Sequence, residues 1–383
     1  MTFLDIYKKV EDMNHHTTPT TEKRHYGIDL LRIVAMYMVC MIHINLFCKA
    51  HLELILGKEY FYYFGTWTQS LGYIGVNLYA MITGYVCLQG KWKFNRYLRL
   101  WVEVCFYTLG LLLVGIILSY YHILPWEISF KRIIRIIVTL PCGSTYWYFS
   151  SYTAVFLLIP FINKLLLQLE QKQYLYLLSI VLVLIPIANM LVGFTLYSDG
   201  YNATWLAALY AVGGYIKRYP IRTSFAILLP IAGLCTLQPV ICHLLCLPTL
   251  LSYCSPIMVL YSVCMFLIFT QISVKSQITR KLIAWVAPLS FGVYLIHVHP
   301  WSWAMLNKYI GAINIALDSP WWIALVGGGV LYLICTFIDC LRDCLFRLTK
   351  LPRGADAIAD YICRLVDYMW GRIMKIKEFK QSK

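Results

Sequence analysis

Residues Gly27 to Phe47 read GIDLLRIVAMYMVCMIHINLF. At 1.5 Å per residue a helix of this length crosses a hydrocarbon layer about 30 Å thick. Arg32 and His43 stand out among the few polar residues in the run. A charged arginine at mid-bilayer costs roughly 2.5–3.5 kcal/mol on insertion scales, so its presence marks a candidate functional site. The spacing sharpens this. Eleven helical residues at about 100° each return to within about 20° of the same face, about 16 Å further along. One face of one span therefore carries a cation near one end and an imidazole near the other.

The rest of the 383-residue chain agrees with a membrane setting. Hydrophobic residues make up 60% and charged residues 13%, against about 25% charged in a soluble domain. The pattern predicts an all-α, polytopic membrane protein of about ten transmembrane helices, near 28–48, 70–89, 100–122, 146–163, 174–193, 203–216, 223–243, 251–272, 282–301 and 321–341. Segment 203–216 is short for a span. Residues 1–26 form a polar segment without the apolar core of a cleavable signal, so the first span is expected to direct insertion. A membrane domain then runs over 27–345, and 346–383 forms a tail.

The net charge of +15 raises the question of nucleic acid, but its distribution answers it. Of the 33 lysines and arginines, 26 fall in one set of alternate loops and 6 in the other, with Arg32 inside a span. Positive charge collects on the cytoplasmic side, which puts both termini there. The charge is a topology signal and an attraction to anionic inner-leaflet lipid, and no nucleic-acid partner is expected. In the tail, Ile358, Tyr361, Ile362, Leu365, Met369, Ile373 and Ile376 recur at helical spacing with Arg364, Arg372, Lys375 and Lys377, a basic amphipathic helix suited to anchoring.

Three cations defy the inside rule. Lys131, Arg132 and Arg135 alternate with isoleucines in an external segment, where they meet an anionic lipid phosphate or snorkel to headgroups. The fourteen cysteines lie in or beside apolar spans without paired Cys-x-x-Cys spacing. Cys235, Cys242, Cys246 and Cys254 surround one external turn and leave a bridge open, although small apolar packing accounts for them as well.

Several residues suit chemistry. Arg32 offers a planar fork for phosphate, yet Asp29 three residues earlier is a natural intrahelical partner that can neutralise it. His43 stands near the far end of the span, where neutral imidazole can take a proton from a hydroxyl. In span two, Asn77 and Thr83 are polar groups needing partners. Span four opens with Trp147 and Tyr148, which form either an interfacial belt or the mouth of a groove where sugar rings stack. In SFGVYLIHVHPW, Ser290, Tyr294 and His297 share a helix face, and His297 is placed to meet His43 or to stand as a second interfacial histidine. No phosphate loop and no HExxH motif occur.

Together these residues resemble the acyltransferase type 3 family of integral membrane proteins. Its mark is Arg or Lys, ten residues, then His, here Arg32 and His43. Its second span is similar to Gly75-Val76-Asn77-Leu78-Tyr79-Ala80-Met81-Ile82-Thr83-Gly84, with Asn77 in place of the usual Asp and Thr83 in place of the usual Ser. Trp147-Tyr148 with Pro160, and Ser290, Tyr294 and His297, match two further motifs. The resemblance covers about 26–341. It implies a cytoplasmic acyl-CoA donor, acetyl-CoA above all, and an acceptor hydroxyl on a surface or lipid-linked polysaccharide in the cell membrane. It also implies donor binding by Arg32 with Asp29, proton abstraction by His43, help from Tyr294 or His297, and substrate contacts at Asn77, Thr83, Trp147, Tyr148 and Ser290. A glycan exporter is the alternative, and a homodimer is left open.

Overall fold

The computed structural model describes residues 24–49, 59–90, 92–123, 130–140, 146–192, 196–317 and 322–381. Helices dominate, and no strand occurs among the described residues. In chain order they are α1 (Tyr26–Lys49), α2 (Glu59–Gly72), α3 (Gly75–Cys87), α4 (Phe94–Tyr120), α5 (Phe130–Val138), α6 (Trp147–Gln168), α7 (Gln171–Ser179) and α8 (Ile185–Val192). They continue as α9 (Ala203–Arg218), α10 (Phe225–Leu244), α11 (Pro256–Gln271), α12 (Gln277–Val286), α13 (Ser290–Val298), α14 (Pro300–Ala316), α15 (Ile323–Thr349) and α16 (Leu351–Gln381).

Among the described residues, seven helices are long and apolar enough to cross a membrane, counting α7–α8 and α12–α13 as continuous. The ten expected apolar segments are all helical, but α3, α9 and α11 fall short of that length. The segment expected as one span over 70–89 is two helices, α2 and α3, broken at Tyr73–Ile74. Local chemistry explains other interruptions. Pro186, lacking an N–H, follows a π-helical turn at Ile180–Leu184 that joins α7 to α8. Pro288 sits in the 3-10 turn between α12 and α13. His299 is extended, as a residue before proline prefers, and Pro300 then opens α14.

The first span lies in the middle of the bundle. Helix α1 packs against α2, α3, α11, α12, α13, α14 and α15, and its 61% burial is the highest of the seven spans. That position explains how it tolerates Arg32 and His43: both meet protein or cavity rather than lipid. The tightest packing joins α3 to α9. A Cβ on Gly84 would run into the Tyr210 carbonyl, and one on Gly213 into the Met81 carbonyl, so two backbones touch where neither residue has a side chain.

A second polar group is buried away from α1. Arg342 forks onto Asp339, with Nε 2.9 Å from Oδ1 and Nη2 2.7 Å from Oδ2. Its Nη2 is 3.1 Å from Glu103 Oε1. Tyr107 Oη donates to Asp339 Oδ1 at 2.7 Å. Arg342, counted from sequence as a loop cation, is thus an interior one, fixing α4 to α15. The tail helix α16 folds back on α4. Arg99 donates two bonds to Asp356, at 2.8 and 2.6 Å, beside a small contact of Leu98, Ala355 and Ala359. The thirteen described cysteines are all free, so packing rather than bridging accounts for Cys235, Cys242, Cys246 and Cys254.

Candidate functional site

The two histidines meet. His43 Nδ1 lies 3.0 Å from His297 Nε2, and His297 Nδ1 lies 2.5 Å from the Val293 carbonyl. The proton positions follow from the acceptor at the end of the chain. A carbonyl only accepts, so His297 Nδ1 carries the hydrogen. Neutral His297 then has its lone pair on Nε2 and accepts from His43 Nδ1–H. The remaining lone pair, on His43 Nε2, takes no part in any bond to the described residues.

That nitrogen's ring lines a cavity of about 400 Å³, together with Tyr73, Trp147, Tyr201, Tyr253, Tyr294 and Trp303. Trp303 stands edge-on to His43, ring centroids 4.9 Å apart, which fixes the face the imidazole presents. Tyr294 is 7% exposed, and its hydroxyl has no hydrogen-bond partner. The oxygen sits near the backbone amides of Tyr148 and Phe149 at the start of α6 without reaching bonding geometry. The positive end of that helix therefore faces the Tyr294 oxygen, which protein encloses while the residue itself lines the cavity. Tyr146 donates to the Leu295 carbonyl at 3.1 Å and holds the start of α6 against α13.

Between the two ends of α1 runs a line of tyrosines. Tyr294 contacts Tyr148 at 6.3 Å between centroids, and Tyr148 contacts Tyr79 at 6.4 Å. Tyr79 Oη donates to the Arg32 carbonyl at 2.9 Å. Tyr79, Tyr148 and Tyr152 lie deep in the bundle yet are only partly covered, so they border interior space.

At the far end of this line, Arg32 Nη1 is 2.7 Å from Asp29 Oδ1, while Arg24 Nε is 2.5 Å from Asp29 Oδ2. One carboxylate thus serves two arginines, which leaves a net positive charge. Arg32 keeps 31% of its side chain exposed. Arg32 and Arg96 both act electrostatically on Tyr152 and Cys87. Arg96 is exposed, and among these cations Arg32 is the one carried by the central helix.

Other expected positions are placed elsewhere. Asn77 is fully buried. Its Nδ2 donates to the Tyr253 carbonyl at 2.9 Å and to Ser262 Oγ at 3.2 Å, and its Oδ1 accepts from Trp205 Nε1 at 3.1 Å. It reaches no cavity and instead holds the segment bearing Tyr253. Thr83 donates back to the Tyr79 carbonyl within α3, at 2.9 Å. Ser290 lies 3.4 Å from the Tyr332 hydroxyl and close to Tyr79, on the interior path rather than in the His43 cavity. Trp147 lines the cavity, and Tyr148 stands behind Tyr294. Sequence reasoning missed Tyr73, Tyr201, Tyr253 and Trp303. Tyr73 and Tyr201 carry the same local signal, a glycine immediately before each.

An all-helical bundle of apolar spans, with a charged and an imidazole side chain on its central helix, defines a membrane-embedded protein whose site opens inside the bundle. A family model described as an acyltransferase domain matches residues 25–340. The chain belongs to the acyltransferase type 3 family and is a membrane acyltransferase. Among curated proteins and among solved structures, none matches it.

Proposed function

We propose that this chain is an O-acyltransferase of the cell membrane. It takes an acyl group, acetyl in the simplest case, from cytoplasmic acyl-CoA and places it on a hydroxyl of a surface or lipid-linked polysaccharide. In this reading ten segments span the bilayer, with both termini cytoplasmic, Arg32 toward the inside and His43 toward the outside. The observation that carries it is the oriented pair of His43 and His297 on the cavity.

Each residue then has a defined task. His43 Nε2 removes the acceptor hydroxyl proton while that oxygen attacks the thioester carbonyl. The carbonyl π electrons move onto oxygen, where Tyr294 Oη–H donates to the developing charge. His297 holds His43 in the tautomer that leaves Nε2 basic and accepts from Nδ1–H while the imidazolium forms. Collapse breaks the C–S bond, and the proton on His43 Nε2 passes to the departing thiolate. The products are the ester and free coenzyme A. Arg32, with Asp29 and Arg24 beside it, holds the donor's phosphates.

The test is acyl transfer by the protein in nanodiscs, with acetyl-CoA and a polysaccharide acceptor. His43→Ala is expected to lower the rate by about 10²–10⁴, the usual contribution of a general base. Acylation that survives this substitution while glycan export in cells is lost would overturn the enzyme reading in favour of an exporter.

A further inference from the structure

The cavity beside His43 has a wall that the reaction above does not use. Tyr73 and Tyr253 stack with centroids 4.5 Å apart and planes at 24°. Tyr201 meets Tyr253 edge-on at 5.0 Å, and Trp147 lies 4.8 Å from Tyr201 and 6.4 Å from Tyr253. The Tyr201 hydroxyl lies in the neighbourhood of those of Tyr73 and Tyr253. Four aromatic rings and three hydroxyls therefore form one surface.

The fold holds this wall from behind. Asn77 fixes the Tyr253 carbonyl. Gly200 has φ of +96°, and a Cβ there would strike Tyr253. Only glycine suits that backbone, which brings Tyr201 against Tyr253. The remaining lining residues are Ile42, His43, Leu46, Gln69, Tyr294, Val298 and Trp303, so no lysine, arginine, aspartate or glutamate lines the cavity among the described residues.

We infer that this cavity selects an acceptor unit that is an uncharged saccharide, with Tyr73, Tyr201, Tyr253 and Trp147 as its specificity wall; the inference rests on the acyltransferase reading above. Three facts carry it. Aromatic rings offer the apolar faces on which the C–H face of a pyranose rests. Tyrosine hydroxyls and the Gln69 amide can donate to and accept from sugar hydroxyls. A carboxylate or ammonium brought into this space finds no charged partner among the lining residues; Asp199, which acts on Tyr73 from outside the lining, is exposed to solvent, and a buried charge without a partner is costly. The volume falls within the range of about 300–1,000 Å³ usual for small-molecule sites, enough for a glycosyl unit and too small for a polymer segment. The rest of the glycan remains outside, past Tyr201, which is 48% exposed at the rim.

Binding and transfer are measured separately with three soluble probes: methyl N-acetylglucosaminide, methyl glucuronide and methyl glucosaminide. Binding to the protein in nanodiscs is read by calorimetry, and transfer by coupling to acetyl-CoA. The neutral glycoside is expected to bind roughly tenfold more tightly than either charged one, a factor of about 1.4 kcal/mol. Tyr201→Arg places a cation at the half-exposed rim, with folding of the variant checked by thermal unfolding. It is expected to raise glucuronide affinity relative to the neutral probe by about tenfold. Equal or tighter binding of a charged probe by the unaltered protein, or no binding of the neutral one, overturns the inference. Selective binding of the neutral probe without acyl transfer leaves the inference standing and removes the acyltransferase reading instead.

Discussion

At the residue scale, the position of one hydrogen decides what His43 can do. The Val293 carbonyl forces the proton onto His297 Nδ1, and this dictates the tautomer of the next ring. His297 is thus a positioning residue, and its substitution separates position from mere packing. His297→Gln keeps an oxygen able to accept from His43 Nδ1–H, whereas His297→Leu does not. Glutamine is expected to retain at least about tenfold more transfer than leucine, the same tautomer logic by which a misoriented imidazole costs about 10⁴ in serine hydrolases. The check is kcat for both variants at matched folding, judged by thermal unfolding. Equal loss in the two would sink the positioning role. The sequence made His43 and His297 legible because each is a polar residue at a span end. The sense of their bond was not legible, since it depends on a main-chain carbonyl. Asn77 shows the converse limit. A lone amide in an apolar span announces a need for partners, but not whether they are ligand or protein.

At the scale of elements, helix length is where sequence and structure part. Apolar runs predicted ten helical segments, and helices occupy all of them. The pattern gave no sign that the segment expected over 70–89 breaks after its first three residues, because the break at Tyr73–Ile74 contains neither proline nor a charge. Short helices such as α3 and α9 depend on each other. The crossing of Gly84 and Gly213 lets them approach to backbone contact, so their stability is mutual. Gly84→Leu forces a side chain against the Tyr210 carbonyl. It is expected to destabilise the protein by at least about 1–3 kcal/mol, as overpacking does, with loss of folded protein on fluorescence size-exclusion chromatography. The exposed Gly233 has open space around its Cβ position, and Gly233→Leu is the matched control. If both variants run alike, the crossing is not what holds these helices.

At the scale of the whole molecule, charge does three kinds of work. Most cations sort by loop, which the sequence displayed openly. Arg342 does not. It neutralises Asp339, three residues away on its own helix, and Glu103, and only the fold reveals the second partner, because Glu103 lies on a helix distant in the chain. The tail shows a third use. The Arg99 guanidinium holds the Asp356 carboxyl below its ordinary value of 3.8. A depressed carboxyl contributes stability that is complete above its unfolded value and is lost as pH falls through the folded one. Tail docking is therefore expected to be constant from neutral pH down to about 4 and to weaken only below that. Asp356→Asn reproduces the loosened state at neutral pH, read as faster tryptic cleavage between Leu351 and Gln381. Unchanged cleavage kinetics would show that the ion pair does not hold the tail. The amphipathic pattern of the tail was legible in sequence, whereas its docking on α4 through Leu98, Ala355 and Ala359 was not, because three small contacts leave no periodic trace.

The pairing of His43 with His297 also sets a timetable. The two rings are 254 positions apart, and synthesis proceeds at about 5–20 residues per second. The first span must wait on the order of 10–50 s after its own emergence before the partner of its histidine exists. Throughout that interval Arg32 has Asp29 within its own helix, but His43 has nothing comparable. The central helix of the bundle is thus the first to be made and among the last to be completed. A nascent chain arrested before Val293 holds every residue of the Arg32 end and none of the groups that orient the base.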